Sequence, residues 1–293
     1  MGEISALGSA FLWAANGALL RSQAGRIPAL ALNAIQYLCA SAVLLVFLLP
    51  LGYVGQALHL GGGLLLYLAG SALVGMAGGD TLYIHSLRLI GIARAFPLSN
   101  SLYVLFTFAV AATFLREPVG WAEAAGGALV VAGMSCLALA QGGVEQTMPS
   151  GRTGPLQGLL ASAGAAACWT ISIFLLKVLL VEVDILTANA LRLPLVALTL
   201  LTVAWLGGAG PRRKDFNGYS LALVGAAGVL GITLGSLAFL FAVQVAGAAK
   251  TAVLASSSPL FAVLLSLVFY RREVTRSVVL GTALCVAGIA LIA

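Results

Sequence analysis

The chain consists of long apolar stretches that alternate with short polar breaks. A helix needs about 20 largely apolar residues to cross the hydrocarbon core of a bilayer. We therefore predict an all-α integral membrane protein with ten transmembrane helices. The predicted spans cover residues 4–20, 30–49, 64–87, 92–115, 119–140, 156–181, 185–206, 220–245, 248–270 and 274–292.

Composition excludes the other large classes of protein. Hydrophobic residues make up 61% of the chain and charged residues 8%, whereas a soluble domain carries about 25% charged residues. The 15 Lys and Arg residues are scattered among apolar residues, so we expect no nucleic-acid partner. The cysteines and histidines lack metal-ligand spacing, and we expect neither a metal nor a cofactor. Glu3 stands where a signal peptide has basic residues, so we expect the first stretch to be a span.

The second half of the chain repeats the first at an offset of 156 residues. Chance matches between glycines are common in such a sequence, but matches between Trp, Asn, cationic and Glu residues at one offset are not. The coinciding pairs are Trp13 with Trp169, Asn33 with Asn189, Gly75 with Gly231, Gly79 with Gly235, Arg94 with Lys250, and Glu117 with Glu273. We place the two repeats at residues 1–146 and 147–293.

Each repeat holds five predicted spans, and this odd number means that the second repeat enters the membrane from the opposite side. Inverted repeats related by a two-fold axis in the membrane plane are a recurring plan of secondary transporters, with the substrate site where the repeats meet. If the two halves exchange conformations, such a site opens to alternate sides. The repeat therefore predicts transport by alternating access.

In each repeat the fourth span begins with small residues, becomes polar, and ends in an aromatic residue and Glu before a glycine-containing fifth span. The segments are Gly91 to Glu117 followed by Gly126 to Gly133, and Gly247 to Glu273 followed by Gly281 to Gly288. This pattern resembles the drug/metabolite transporter superfamily of EamA type, over essentially the whole chain. The resemblance implies a ten-helix transporter and leaves the substrate open. Pro97 is matched by Val253 and Pro259 by Tyr103, so we expect the two fourth helices to bend at different depths.

Ionisable residues inside the membrane are costly and are candidates for functional sites by default. Asp80 is the one carboxylate that we place deep in the bilayer, where it could hold a proton, bind a cationic substrate group, or pair with a buried Arg. Arg192, whose repeat mate is Gln36, could bind a carboxylate or phosphate of the substrate, or it could snorkel or pair with Asp80. Arg94 and Lys250 begin the fourth and ninth spans, which indicates a cationic gate or a snorkelling anchor.

Two polar faces are candidates for the wall of a cavity. Asn100, Tyr103 and Thr107 share one face of the fourth span, and Ser256 and Ser257 lie at the matching height of the ninth. These side chains could line a cavity, or they could join helices by hydrogen bonds in lipid.

Aromatic and small residues recur at matched positions in both repeats. Trp13 and Trp169 stand in mid-span, away from the interfacial belt that Trp favours, so a place in a cavity wall is one interpretation. Small residues four positions apart in both third spans predict close helix packing. These residues are Gly75, Gly79, Gly231 and Gly235.

Charge and family resemblance disagree about orientation. With a cytoplasmic N-terminus, three Lys and Arg residues would lie on the cytoplasmic side and eleven on the other. The positive-inside rule thus favours both ends outside, whereas members of the resembled family commonly have both ends inside. We favour the orientation that the charges indicate.

These features predict a secondary transporter of the inner (plasma) membrane that exports a small metabolite or drug-like solute, amino-acid-like or amphiphilic in character. A lipid flippase or a non-catalytic membrane subunit is the alternative. The sequence has no Walker loop, so we exclude ATP as the energy source and consider a proton as coupling ion. We expect no enzyme, because an aspartyl protease needs a second deep carboxylate beside Asp80. Partners are the bilayer and a small molecule, and the chain acts as a monomer or homo-oligomer.

Overall fold

The computed structural model describes residues 1–20, 29–90, 92–117, 120–141, 154–208, 210, 218–270 and 275–292, and these residues are helical apart from short connections. Two π-helical segments interrupt the series of α-helices, Ser71–Gly79 between α4 and α5 and Gly228–Leu234 between α10 and α11. The α-helices are α1 Gly2–Leu20, α2 Ala29–Leu48, α3 Tyr53–Leu58, α4 Gly62–Gly70, α5 Asp80–Ile90, α6 Ile92–Thr113, α7 Trp121–Gln141, α8 Gly154–Leu179, α9 Ile185–Leu206, α10 Gly218–Ala227, α11 Gly235–Ala246, α12 Ala248–Ala255, α13 Ser258–Tyr270 and α14 Arg276–Ile292.

The described helices confirm the predicted class, an all-α membrane protein of ten spans. Each π-helical segment joins its two neighbouring α-helices into one span, and α12 with α13 forms the ninth. The predicted boundary between the repeats, after residue 146, lies outside the described residues. Among the described residues, five stretches are long and apolar enough by themselves to cross a bilayer: Leu30–Leu48, Gly62–Tyr83, Leu156–Leu179, Ile185–Leu206 and Gly218–Ala246.

The third and eighth spans contain their π-helical segments at equivalent positions of the two repeats. Residues 71–79 of the first repeat correspond to residues 227–235 of the second, and the observed second segment is Gly228–Leu234. A π-helix is rare and is frequent at functional sites. Both segments are rich in glycine, which has a low α-helix propensity. The equivalent placement makes this irregularity a property of the repeat.

The ninth span is broken, whereas the fourth span runs through as α6. Ser256 and Ser257 separate α12 from α13, and Pro259 is the second residue of α13. Proline has no N–H to donate to the preceding turn and clashes with its carbonyl. The first repeat has Tyr103 at this position, and α6 continues through it.

Contacts between the repeats show that they run in opposite directions. Glu117 follows α6, and its carboxylate accepts hydrogen bonds from the backbone N–H of Ala248, at the start of α12, at 2.9 and 3.0 Å. The fourth span therefore ends at the membrane face where the ninth span, its counterpart in the second repeat, begins. Lys250, also at the start of α12, lies 3.4 Å from Glu3 at the start of α1. We call the membrane face that carries these residues the terminal face.

Equivalent helices pack against each other across the two repeats, α2 against α9 and α7 against α14. Glycines allow the second pair to approach closely: a Cβ at Gly133 would lie 2.6 Å from the Gly281 carbonyl oxygen, and one at Gly288 would lie 2.6 Å from the Gly126 oxygen. Gly126 also contacts Ile292, which places the end of α14 at the terminal face. Helices of both repeats, α2 and α9 among them, surround a central space.

Candidate substrate cavity

A cavity of about 480 Å³ occupies the space where the two repeats meet. This volume lies within the range of pockets that hold small-molecule ligands, roughly 300 to 1,000 Å³. Helices of both repeats supply its wall, including α1, α2 and α6 from the first and α8, α9 and α12 from the second. The cavity also touches both π-helical segments.

The cavity wall follows the internal repeat. Nine pairs of residues that are 156 positions apart contribute both of their members to the wall, so the pseudo-two-fold axis passes through the cavity. The pairs are Trp13 with Trp169, Asn16 with Ser172, Leu20 with Leu176, Gln36 with Arg192, Gly75 with Gly231, Met76 with Ile232, Asp80 with Ser236, Tyr83 with Phe239, and Asn100 with Ser256.

Asp80 lies on the cavity wall directly after the first π-helical segment. One carboxylate oxygen accepts the indole N–H of Trp169 at 2.9 Å, and the other accepts the hydroxyl of Tyr37 at 3.4 Å. Among the residues that the structure describes, no ion pair involves Asp80. Its repeat mate Ser236 donates instead to the carbonyl of Thr233 in its own span, at 3.3 Å. Neutral donors thus hold the Asp80 carboxylate, and the equivalent position on the other side of the cavity carries the uncharged Ser236.

Arg192 reaches the same cavity from α9 and is 3% exposed. Its guanidinium donates to the hydroxyl of Ser71 at 3.1 Å, and to the amide oxygen of Asn189 and the sulfur of Met76 at 3.4 Å each. All three partners are neutral, and the described ion pairs do not include Arg192. The ion pair with Asp80 that the sequence left open for Arg192 is not observed among the described residues. The charge of Arg192 therefore faces the cavity without a counter-ion in this part of the chain.

The predicted polar faces contribute three of their five members to the wall. Asn100, Tyr103 and Ser256 line the cavity. Ser256 is 4% exposed, and its hydroxyl has no hydrogen-bond partner among the described residues. Thr107 lies outside the wall and shares a hydrogen bond of 3.4 Å with Thr170 on α8. Ser257 is also outside it and donates to the carbonyl of Leu254 at 2.6 Å.

The two matched tryptophans pack against the matched glycines of the opposite repeat. Gly79 leaves room for the Trp169 ring and Gly235 for the Trp13 ring, since a Cβ would lie 2.8 and 2.9 Å from the respective indole nitrogens. The Trp13 N–H donates to the carbonyl of Gly231 at 3.1 Å. Gly75 and Gly231 are packed in the same way against Ser172 and Asn16. All four glycines therefore lie where two helices touch.

Three aromatic residues of the wall were not predicted from the sequence: Tyr37, Tyr83 and Phe239. Tyr83 packs against Trp169 with ring centroids 5.4 Å apart, and Phe239 packs against Trp13 at 5.3 Å. Tyr83 and Phe239 are both aromatic and are separated by the repeat offset, which is the signal that could have identified them. Tyr103 also meets Trp169 edge-on, at 6.0 Å.

The matched cations at the ends of the fourth and ninth spans do not line the cavity as far as the structure describes them. Lys250 pairs with Glu3 at the terminal face, and the side chain of Arg94 lies outside the described part. Glu117, beside Lys250, caps α12 and lies 3.3 Å from the Lys177 ammonium. Lys177 also donates to the carbonyl of Val243 at 2.8 Å. These contacts join five spans at the terminal face, the first, fourth, sixth, eighth and ninth.

Comparison with known proteins agrees with this architecture. The model of the EamA-like transporter family matches residues 1–139 and again 156–293. One solved crystal structure superposes with a TM-score of 0.81 over 99% of this chain and 95% of that chain, at 20% sequence identity, which is a likeness of fold. No curated protein matches the chain. With ten spans in two inverted repeats and a family match over both, the chain belongs to the EamA-like transporter family, whose members carry small solutes across membranes.

Proposed function

We propose that this protein is a secondary transporter that exports a small metabolite or drug-like solute, amino-acid-like or amphiphilic, through the central cavity. The observation that carries the proposal is the cavity on the pseudo-two-fold axis, with Asp80 and Arg192 both on its wall. Burying a charge without a counter-ion is costly and is a mark of function in a membrane protein. A solute that brings both an ammonium and a carboxylate group would compensate both charges.

The contacts at the terminal face support alternating access. Glu117, Lys177 and the start of α12 tie the repeats together on that side of the cavity. Because the repeats are inverted, the same helices in exchanged conformations would part there and close at the opposite face. The two π-helical segments and the break at Ser256 lie beside the cavity, where irregular backbone allows spans to bend with little change in packing.

We propose a location in the inner (plasma) membrane, and the charge distribution supports an orientation with both chain ends outside. By the spans predicted from the sequence, eleven Lys and Arg residues fall in or near the loops on the face opposite the terminal face. The positive-inside rule assigns that face to the cytoplasm. In this orientation, export would carry a solute from the cationic face toward the terminal face.

Transport assays in proteoliposomes test the proposal. The purified protein would be reconstituted and given a proton gradient or a substrate gradient, with amino acids and cationic dyes as solutes. We expect gradient-dependent flux of at least one solute, and we expect Asp80→Asn to lower that flux at least tenfold. Glu123→Gln is the matched control, because it neutralises a carboxylate that accepts the Gly120 N–H outside the cavity.

Two outcomes would contradict the proposal. Absence of flux for every solute, from protein that elutes as a folded species, would favour a non-catalytic membrane subunit. Movement of labelled lipid between leaflets that is unaffected by Asp80→Asn would favour a flippase, whose cargo travels along a lateral groove.

A further inference from the structure

The internal repeat reveals a chemical difference between two sides of the cavity. Each side has one aromatic pair, Tyr83 with Trp169 and Phe239 with Trp13, and the pairs correspond at the offset of 156 residues. The first pair adjoins Asp80, and we call this part of the wall the Asp80 end. The second adjoins Ser236, the repeat mate of Asp80, and we call it the Ser236 end.

At the Asp80 end a negative charge is surrounded by donors and ring faces. The carboxylate already accepts the Trp169 N–H at 2.9 Å and the Tyr37 hydroxyl at 3.4 Å, one on each oxygen. Tyr83 stacks at a tilt on Trp169, and Tyr103 meets the same ring edge-on. This environment offers strong negative potential, and each carboxylate oxygen already accepts one hydrogen bond.

Primary and alkylated ammonium groups have different requirements in such an environment. A primary ammonium carries three N–H donors, and each donor left unsatisfied on burial lowers affinity. A quaternary ammonium has no N–H to satisfy, and aromatic faces attract it through their quadrupoles. The Asp80 end therefore suits an alkylated ammonium better than a primary one.

We propose that the Asp80 end binds an N-alkylated ammonium group of the transported solute, an inference that rests on the proposed transport function. The solute's apolar body lies toward the Ser236 end, where Phe239 and Trp13 form a wall without a carboxylate. Arg192 also lines the cavity and would meet a carboxylate on the same solute.

Equilibrium binding to the purified protein in detergent tests this assignment without any gradient. The probes are 2-phenylethylamine and its N,N,N-trimethyl derivative, which share one apolar body and one positive charge. Isothermal titration calorimetry would give both dissociation constants. We expect the trimethyl compound to bind at least about tenfold tighter, as cation–π recognition of a desolvated cation allows. Equal binding, or tighter binding of the primary amine, would overturn the assignment.

Variants at repeat-related positions locate the preference. Tyr83→Leu removes a ring at the Asp80 end and should abolish the preference, whereas Tyr83→Phe keeps the ring and should preserve it. Phe239→Leu, the matched change at the Ser236 end, should weaken both probes alike. If Tyr83→Leu does not fold, Tyr103→Leu removes a neighbouring ring and should reduce the preference. An equal loss of preference in Phe239→Leu would overturn the assignment.

The binding and transport measurements can fail separately. A preference for the trimethyl probe without flux of any solute in proteoliposomes would support the subsite and contradict transport. Flux of amino acids or primary amines by a protein that shows no preference between the probes would support transport and overturn the subsite.

Discussion

Trp169 donates its indole N–H to the carboxylate of Asp80 across 2.9 Å, and so joins the first helix of the second repeat to the third span of the first. The equivalent indole, Trp13, donates to the backbone carbonyl of Gly231. The two repeats thus make the same helix contact with different chemistry. One contact holds a charge at the cavity, and the other is neutral.

Trp169 and Asp80 should be energetically coupled through their hydrogen bond. A hydrogen bond to a charged group contributes about 1.5–3 kcal/mol, compared with about 0.5–1.5 kcal/mol for a neutral one. We therefore expect Trp169→Phe and Asp80→Asn to be non-additive by at least about 1 kcal/mol in a double-mutant cycle measured by unfolding in detergent. Trp13→Phe combined with Asp80→Asn is the control and should be additive. Additivity in the first cycle would mean that the contact contributes nothing specific.

Arg192 should determine how the transporter treats a carboxylate on its substrate. Arg192→Gln gives position 192, in α9, the same side chain as its repeat mate Gln36. It removes the positive charge and keeps a hydrogen-bonding side chain. We expect transport of zwitterionic solutes to fall at least tenfold relative to transport of cations that lack a carboxylate, as measured by competition in proteoliposomes. A uniform fall for both solute classes would indicate that Arg192 supports the fold and does not discriminate.

Glycine at the contact between α7 and α14 should be required for stability. Gly133→Ala introduces a Cβ within 2.6 Å of the Gly281 carbonyl oxygen and the Cys285 sulfur, and overpacking of this kind costs about 1–3 kcal/mol. Gly8→Ala is the control, because a Cβ at Gly8 meets no atom within 4 Å. Thermal unfolding should show a lower Tm for Gly133→Ala and no loss for Gly8→Ala. Equal Tm values would contradict the close packing of these two helices.

Orientation can be measured with a reporter fused to the C-terminus. An enzyme that is active only in the periplasm should be active there, because the positive-inside rule predicts that the terminal face lies outside. A reporter that is active only in the cytoplasm should be inactive at the same position. The reverse pair of results would show both ends inside, as members of the family commonly have them.

Much of the fold could be predicted because it depends on the length, number and spacing of the apolar runs, which can be read from the sequence. The length of the apolar runs predicts the spans, and the odd number of spans per repeat predicts the inversion. The offset of 156 residues also paired Trp13 with Trp169 before their contacts with Gly235 and Gly79 were known. Such pairs are found because an inverted duplication makes each contact twice.

There is a physical reason why the details of the cavity wall could not be predicted from the sequence. Helices that are apolar all round give no periodic signal from which to recognise a π-helical segment such as Ser71–Gly79. The placement of Thr107 assumed that one face of α6 meets the cavity along its whole length, whereas Thr107 meets α8 instead. Ser257 turns toward Leu254 because the ninth span breaks there.

Cysteine accessibility tests most directly whether the central cavity opens alternately to the two sides of the membrane. A single cysteine at position 236, on the cavity wall, would be introduced by Ser236→Cys into a protein whose native Cys39, Cys136, Cys168 and Cys285 have been replaced. A membrane-impermeant thiol reagent would then be added to either side of oriented vesicles. A passage that opens alternately predicts labelling from both sides, slowed by a transported solute. Labelling from one side only, or from neither, would contradict it.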